Sequence, residues 1–271
     1  MTLPKHEYKT KSSSVQVVQD QYAAPKSERS STSAPTPALN IESLQNAVEK
    51  CVKELGKIDF VIAGAAGNFL ASINHLSTNA FKSVMDIDVL GSYNTLKATL
   101  PHLVTSASEH KSDGKTPCPT GTGGRIIFIS ATIHYTTMPL QTHVSVAKAG
   151  VDALSHSTSI EFGPRGITSN VISPGPIAGT EGMERLAKSE TTKNAMKNVP
   201  LGRYGTVKEM ADATVYLFSD AANFVNGQTL VVDGAAWRTQ GSSPGSGFSY
   251  PDFLLADEVV TGVKGGKKSK L

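Results

Sequence analysis

A doubly wound, parallel α/β sheet is the fold this sequence predicts, and three observations predict it. Short runs at residues 58–63 and 126–129 are almost wholly apolar, as strands buried on both faces are, and residues 166–172 and 228–232 read as two more strands. Stretches with apolar residues at helical spacing alternate with them, the pattern of a parallel sheet covered by helices on both sides. The strands run out into glycine or proline, at Gly64-Ala65-Ala66-Gly67-Asn68, Ser173-Pro174-Gly175-Pro176 and Asp233-Gly234. Ligands of such sheets sit outside the carboxyl ends of the strands, so chemistry is expected at these exits.

Residues 1–39 are rich in Ser, Thr, Pro, Lys and Gln. They bury too little apolar surface to offset ordering entropy and are expected to be disordered, with Val15-Gln16-Val17-Val18 the one stretch that reads as a short strand. One domain, residues 40–239, follows. Asn40 caps a helix in which Ile41, Leu44, Ala47, Val48, Cys51, Val52 and Leu55 recur at helical spacing, and Gly56 stops it. After the strand at 58–63, residues 79–103 are predicted helical, broken at Gly91 and kinked near Pro101. Residues 106–124 form a Ser/Thr/Gly/Pro-rich surface loop. Arg125 to Gly150 is the organising stretch: its strand end faces a helix carrying Lys148. Alone, that lysine reads as a solvated surface residue; the rest of the chain argues otherwise. Residues 184–197 read as a polar helix or lid, 207–219 as an amphipathic helix, and 240–271 as a tail.

Composition excludes several functions. The net charge of +3 is small, and Lys264, Lys267, Lys268 and Lys270 supply part of it, so no nucleic-acid footprint is present. The two cysteines, Cys51 and Cys118, lie far apart without the spacing of a metal site or a disulfide framework. No apolar run approaches the roughly 20 residues that span a bilayer, and residues 1–40 contain no signal-peptide core. The final tripeptide, Ser269-Lys270-Leu271, is a peroxisomal address read by an import receptor, which places the chain in the peroxisome.

Taken in order and spacing, IDFVIAGAAGN, the Asp88 to Gly91 segment, AKAGVDAL, NVISPGPI, PLGRYG and GQTLVVDG resemble the second two-thirds of a short-chain dehydrogenase/reductase. AAGNFL, FKSVMDID, ISAT, PGPIAGTEGMERL and VVDGAAW are similar in wording to one branch, the peroxisomal 2,4-dienoyl-CoA reductases. The resemblance covers residues 41–237 and implies a Rossmann-like fold, NADPH as cofactor, a dienoyl-CoA substrate, a role in peroxisomal β-oxidation of unsaturated fatty acids, and a homo-oligomer.

Ordinary members of the superfamily carry Tyr-x3-Lys, which sets a phenol and an ammonium on one helix face to protonate a carbonyl. Here Val144 stands four residues before Lys148 and donates no proton. The usual serine falls at Ala131; Ser130 is expected to point to the opposite side, and Tyr135 is a substitute phenol with nothing to fix it near Lys148. Carbonyl reduction, the alternative activity, is disfavoured. The resemblance assigns catalysis to Asp88 and Lys148, Lys148 also holding the cofactor ribose, with Gly64, Ala65, Pro174, Gly175, Ile177 and Thr180 on the cofactor. It places Phe69, Ser77, Asn79 and Arg185 on the acyl-CoA, where a guanidinium suits phosphate. His134 and His143 read as packing or surface residues, and Met85 as core.

No glycine-rich turn of the kind that binds pyrophosphate precedes Ile58, and residues 1–39 contain no glycine. The sheet is therefore expected to lack its first strands and that turn, leaving residues 60–63 as an exposed edge. A sequence incomplete at its N-terminus and a non-catalytic partner of a full-length reductase are the two readings of that feature.

Overall fold

The computed structural model describes residues 15–18, 40–110, 115, 123–138, 140–180, 183 and 199–239. Arg185, Cys118, the segment 184–197 and Ser269-Lys270-Leu271 lie outside them. Five parallel strands stand side by side in chain order: β1 (Val15–Val18), β2 (Phe60–Ala63), β3 (Arg125–Ile129), β4 (Thr168–Pro174) and β5 (Thr229–Val232). The register pairs Val15 with Phe60, Phe60 with Arg125, Arg125 with Thr168 and Val171 with Thr229. β1 lies within the segment expected to be disordered, and it covers the edge of β2 that the sequence predicts to be open.

Helices lie on both faces. Successive strand side chains point to opposite sides, and β3 shows the consequence: Ile126 and Phe128 join one core, Ile127 and Ile129 another. The first core takes Leu44, Val48 and Cys51 of α1 (Ile41–Leu55), Leu96, Leu103 and Ala107 of α3 (Gly91–Ser108), and Val151 of α5 (Thr142–Phe162). The second takes Met210, Ala213 and Leu217 of α6 (Val207–Phe218). Asn40 caps α1 by accepting from the Glu42 and Ser43 amides, and Gly56 ends it at φ +86°, a conformation that disfavours side chains. Thr206 and Glu209 form a reciprocal capping box at the start of α6.

Residues 78–108 correct one expectation. The helix does not break at Gly91, whose φ of −61° is ordinary for a helix. α2 (Thr78–Val84) runs into a π-helical stretch, Met85–Leu90, and then into α3. A π-turn inserts an extra residue and re-aims the side chains that follow, and such turns occur frequently at functional sites. Asp88 sits inside this one. A short helix, α4 (Ile133–Thr136), fills the connection between β3 and α5.

Candidate active site

Asp88 and Lys148 meet. The Asp88 carboxylate is fully buried; Oδ1 accepts the Gly67 amide at 2.7 Å, and Oδ2 lies 3.1 Å from Lys148 Nζ. The ammonium sits off the hydrogen-bonding direction of Oδ2, which is left with no donor in the protein, and Nζ donates to the Ile129 carbonyl at 3.1 Å. A buried carboxylate and ammonium thus stand together near the C-terminal ends of β2 and β3, where the topology predicts a site. Gly67 makes the approach feasible: a Cβ there would stand 3.1 Å from Ile87 Cδ1, tighter than ordinary packing.

The position of the missing phenol is apolar. Val144 is buried with Val84 and Ala147 in a cluster that Phe69, Met85, Val89 and Ile133 complete. Tyr135 does not replace the phenol. Its hydroxyl donates to Asp152, one helical turn beyond Lys148, and His134 Nε2 reaches the same oxygen at 2.9 Å. Burial and the Asp152 carboxylate push Tyr135 up to about 12, so its proton is held rather than offered. Burial would raise Asp152, but the bonds from His134 and Tyr135 outweigh it and hold the carboxyl below its usual range. Ser130, expected to point away, faces α5, where its hydroxyl donates to the Lys148 main-chain carbonyl at 3.4 Å.

The residues assigned to a cofactor line the same sheet edge. Gly64 and Ala65 leave β2 beside Ile129, within 3.4 Å of where a Gly64 Cβ would stand. The β4 exit is tied to the β3 exit by Thr132, whose amide donates to Pro174 O at 3.0 Å. Gly175 is required there, because a Cβ would come 2.5 Å from Asp233 Cβ. Ile177 pairs with Gly205 through the backbone, and the Thr180 hydroxyl donates to Ile177 O at 2.9 Å. Among the described residues, no cluster of His, Cys, Asp or Glu is arranged to hold a metal ion, and no helix is long and apolar enough to cross a membrane.

The acyl-CoA candidates divide. Phe69 packs against the Val144 cluster beside Asp88. Ser77 caps α2, accepting the Ala80 amide at 3.2 Å, and Asn79 is exposed on the first turn of that helix. Thr78, between them in sequence, lines an open groove of about 310 Å³ with Ile73, Leu76, Phe81 and Thr142.

Sequence reasoning did not single out Gln141, and it read His143 only as a packing or surface residue. Gln141 Oε1 accepts from Asn68 Nδ2 at 3.0 Å. His143 is fully buried, with Nε2 3.0 Å from the Phe69 carbonyl. A carbonyl only accepts, so Nε2 carries the proton and Nδ1 is a buried acceptor without a donor. No local spacing signals either residue, since their partners lie 73 and 74 positions away. Burial holds the imidazole below its ordinary value of 6.5, although the Phe69 carbonyl and the Asp88 charge pull the other way. The unfolded chain therefore binds a proton that the folded one refuses. Stability present above the unfolded value falls as pH drops from about 6.5 toward the depressed folded value. Urea unfolding midpoints across that window should decline on the acid side, and His143→Gln should flatten part of the decline.

Comparisons with known proteins converge. A family model described as enoyl-(acyl carrier protein) reductase matches residues 16–235. The peroxisomal 2,4-dienoyl-CoA reductase of Saccharomyces cerevisiae is 50% identical over 219 residues, covering 80% of this chain and 68% of that protein. The peroxisomal 2,4-dienoyl-CoA reductase of Danio rerio is 41% identical over 199 residues, covering 73% of this chain and 61% of that protein. The chain thus spans about two thirds, or somewhat less, of these relatives' length. A solved short-chain dehydrogenase from Bacillus anthracis superposes with a TM-score of 0.60 at 33% identity, covering 74% of this chain and 73% of that one.

Proposed function

This chain belongs to the short-chain dehydrogenase/reductase family, through the branch described as enoyl-(acyl carrier protein) reductase, and from that premise we propose that it reduces 2,4-dienoyl-CoA thioesters with NADPH in the peroxisome. One observation carries the reading: a buried Asp88–Lys148 pair occupies the site while apolar Val144 stands where a carbonyl reductase holds its phenol.

The chemistry of a conjugated thioester fits that inventory. Gly64, Ala65 and the Pro174–Thr180 turn would hold the nicotinamide cofactor, which when bound would supply a hydride. Reduction at the distal end of a diene pushes charge onto the thioester oxygen, which calls for positive potential and then a proton at carbon. The Lys148 ammonium supplies the first. Asp88 Oδ2, which no donor in the protein occupies, would orient a water that passes a proton to carbon, the hydroxide left behind being reprotonated by the adjacent Lys148 ammonium, which regains its proton from solvent. Asp88 Oδ1 is fixed by Gly67, so the carboxylate turns only one oxygen to the reaction. The apolar groove at Ile73, Leu76 and Phe81 suits an acyl chain, Phe69 the acyl end of the thioester, and Arg185 the CoA phosphates. The reductase unit is residues 40–239 with β1 added to its sheet, and residues 240–271 carry the peroxisomal address, Ser269-Lys270-Leu271, for an import receptor. The assembly is a homo-oligomer.

The test is a paired assay. The purified chain, offered 2,4-hexadienoyl-CoA or a 3-oxoacyl-CoA with NADPH, is expected to consume nicotinamide absorbance with the first and not the second. Preference for the 3-oxoacyl thioester would overturn the reading in favour of carbonyl reduction.

A further inference from the structure

The segment that leaves β2 is held at four successive places. Gly67 N donates to Asp88 Oδ1 at 2.7 Å, Asn68 Nδ2 to Gln141 Oε1 at 3.0 Å, and Ala71 N to Leu140 O at 2.9 Å. Between them, Phe69 is gripped twice by one side chain: its carbonyl accepts from His143 Nε2 at 3.0 Å, and its ring stacks on the imidazole at 4.2 Å between centroids and 22° between planes. Three of the four holds come from residues 140–143, at the start of the helix that carries Lys148. His143 and Lys148 are five residues apart on one rigid helix, a rise of roughly 7.5 Å. α5 therefore sets the distance between the ammonium and the Phe69 clamp.

We propose that His143 is a positioning residue for the thioester: by fixing both the carbonyl and the ring of Phe69, it sets how the acyl end seats against the Asp88–Lys148 pair. The inference rests on the dienoyl-CoA reading and on Phe69 as a substrate contact. An imidazole is suited to this because it combines a flat face with a hydrogen-bond donor at its far edge. A phenylalanine would keep the stack but leave the Phe69 carbonyl without its donor. A glutamine would keep the donor at similar reach and lose the stack, and an asparagine is too short to reach the carbonyl. The refusal of a proton at Nδ1 agrees with this role, since a charged ring would need a second acceptor in an apolar cluster.

The experiment compares wild type, His143→Phe, His143→Gln and His143→Asn, each checked for folding by thermal melting. Loss of seating without loss of chemistry raises KM and spares kcat. His143→Phe and His143→Asn are expected to raise KM for 2,4-hexadienoyl-CoA by about tenfold or more, with kcat and KM for NADPH within about threefold of wild type. His143→Gln should recover part of the loss, because it restores the donor to the Phe69 carbonyl without the stack. Calorimetry with the saturated hexanoyl-CoA should show the same weakening without turnover. If His143→Phe fails to fold, the glutamine and asparagine pair decides. Unchanged thioester affinity in His143→Asn would overturn the proposal, as would equal losses toward thioester and NADPH, which mark a structural role only. A wild-type chain that binds no CoA thioester would overturn the dienoyl-CoA reading and this inference together. Wild-type and variant chains that bind equally well would overturn this inference alone.

Discussion

Asp88→Asn is expected to lower kcat on a dienoyl-CoA by about 10²–10⁴-fold, the usual worth of a positioned acid–base group, while NADPH binding survives. The amide matches the carboxylate in shape and retains an acceptor for Gly67 N, so the strand exit keeps its place. It cannot present a second charged acceptor at the Oδ2 position, and its NH2 would face the Lys148 ammonium at about the 3.1 Å of the present pair. Lys148 then keeps its bond to Ile129 O but loses its buried counter-charge. Breaking one half of a buried ion pair costs about 3–5 kcal/mol. Asp88→Asn should therefore lower the melting temperature as well as activity, and Lys148→Met should do the same from the other side. The double variant separates the two effects. It should be more stable than the sum of the single losses allows, because neither charge is left alone, yet as inactive as either single variant, because the pair acts as a unit. Retention of more than about a tenth of wild-type kcat by Asp88→Asn would show that the proton reaches carbon by another route.

What the chain discloses before folding, and what it withholds, follows the range of the interactions. Strands β2 and β3 and helices α1 and α6 are legible because burial imprints a local period, whereas the lysine of α5 is legible only through the resemblance. Leu44, Val48 and Cys51 repeat along α1, and Ile126 to Ile129 form an unbroken apolar run. Asp88 is legible only through its motif. Nothing in FKSVMDIDVL marks a π-turn, because its extra residue is stabilised by what packs on it, here Gly67 from 21 residues upstream. For the same reason Gly91 is misread as a break: glycine lowers helix propensity, and tertiary packing overrides it. β1 is ambiguous for the opposite cause. Three valines and a glutamine in a polar surround gain a strand only when an open sheet edge offers hydrogen bonds, and that edge lies at residues 60–63.

Arg125→Met is expected to destabilise the fold by about 3–5 kcal/mol, as breaking a buried, hydrogen-bonded charge does, without touching the chemistry of the site. Sequence alone would leave a charge at the head of a strand in solvent, yet this side chain is only 2% exposed. It points to the α6 face, alternating with Ile126 in the sense that sends Ile127 and Ile129 there. Its Nη1 donates to Leu217 O at 2.8 Å and Ser219 O at 2.7 Å, and Nη2 donates to Asn223 Oδ1. The last carbonyls of a helix have no partners within it, and a cation there also answers the negative end of the helix dipole. Buried ion networks are often replaced by apolar residues at no loss, but only when both partners change together. Here two partners are main-chain carbonyls, which no substitution removes. Methionine would fill much of the volume but take the guanidinium donor from Leu217 O and leave Ser219 O with only the Ala222 amide. Lysine should recover a minor part, because an ammonium lacks the planar fork that serves several acceptors at once. Urea denaturation would measure both losses, and a deficit under about 1 kcal/mol for Arg125→Met would count against this role for the guanidinium. The site lies four residues on, at Ile129, whose carbonyl receives Lys148, roughly 13 Å along the strand. Assayed in the cold, where the variant stays folded, Arg125→Met should keep wild-type kcat, so that one strand carries stability at its first residue and catalysis at its last.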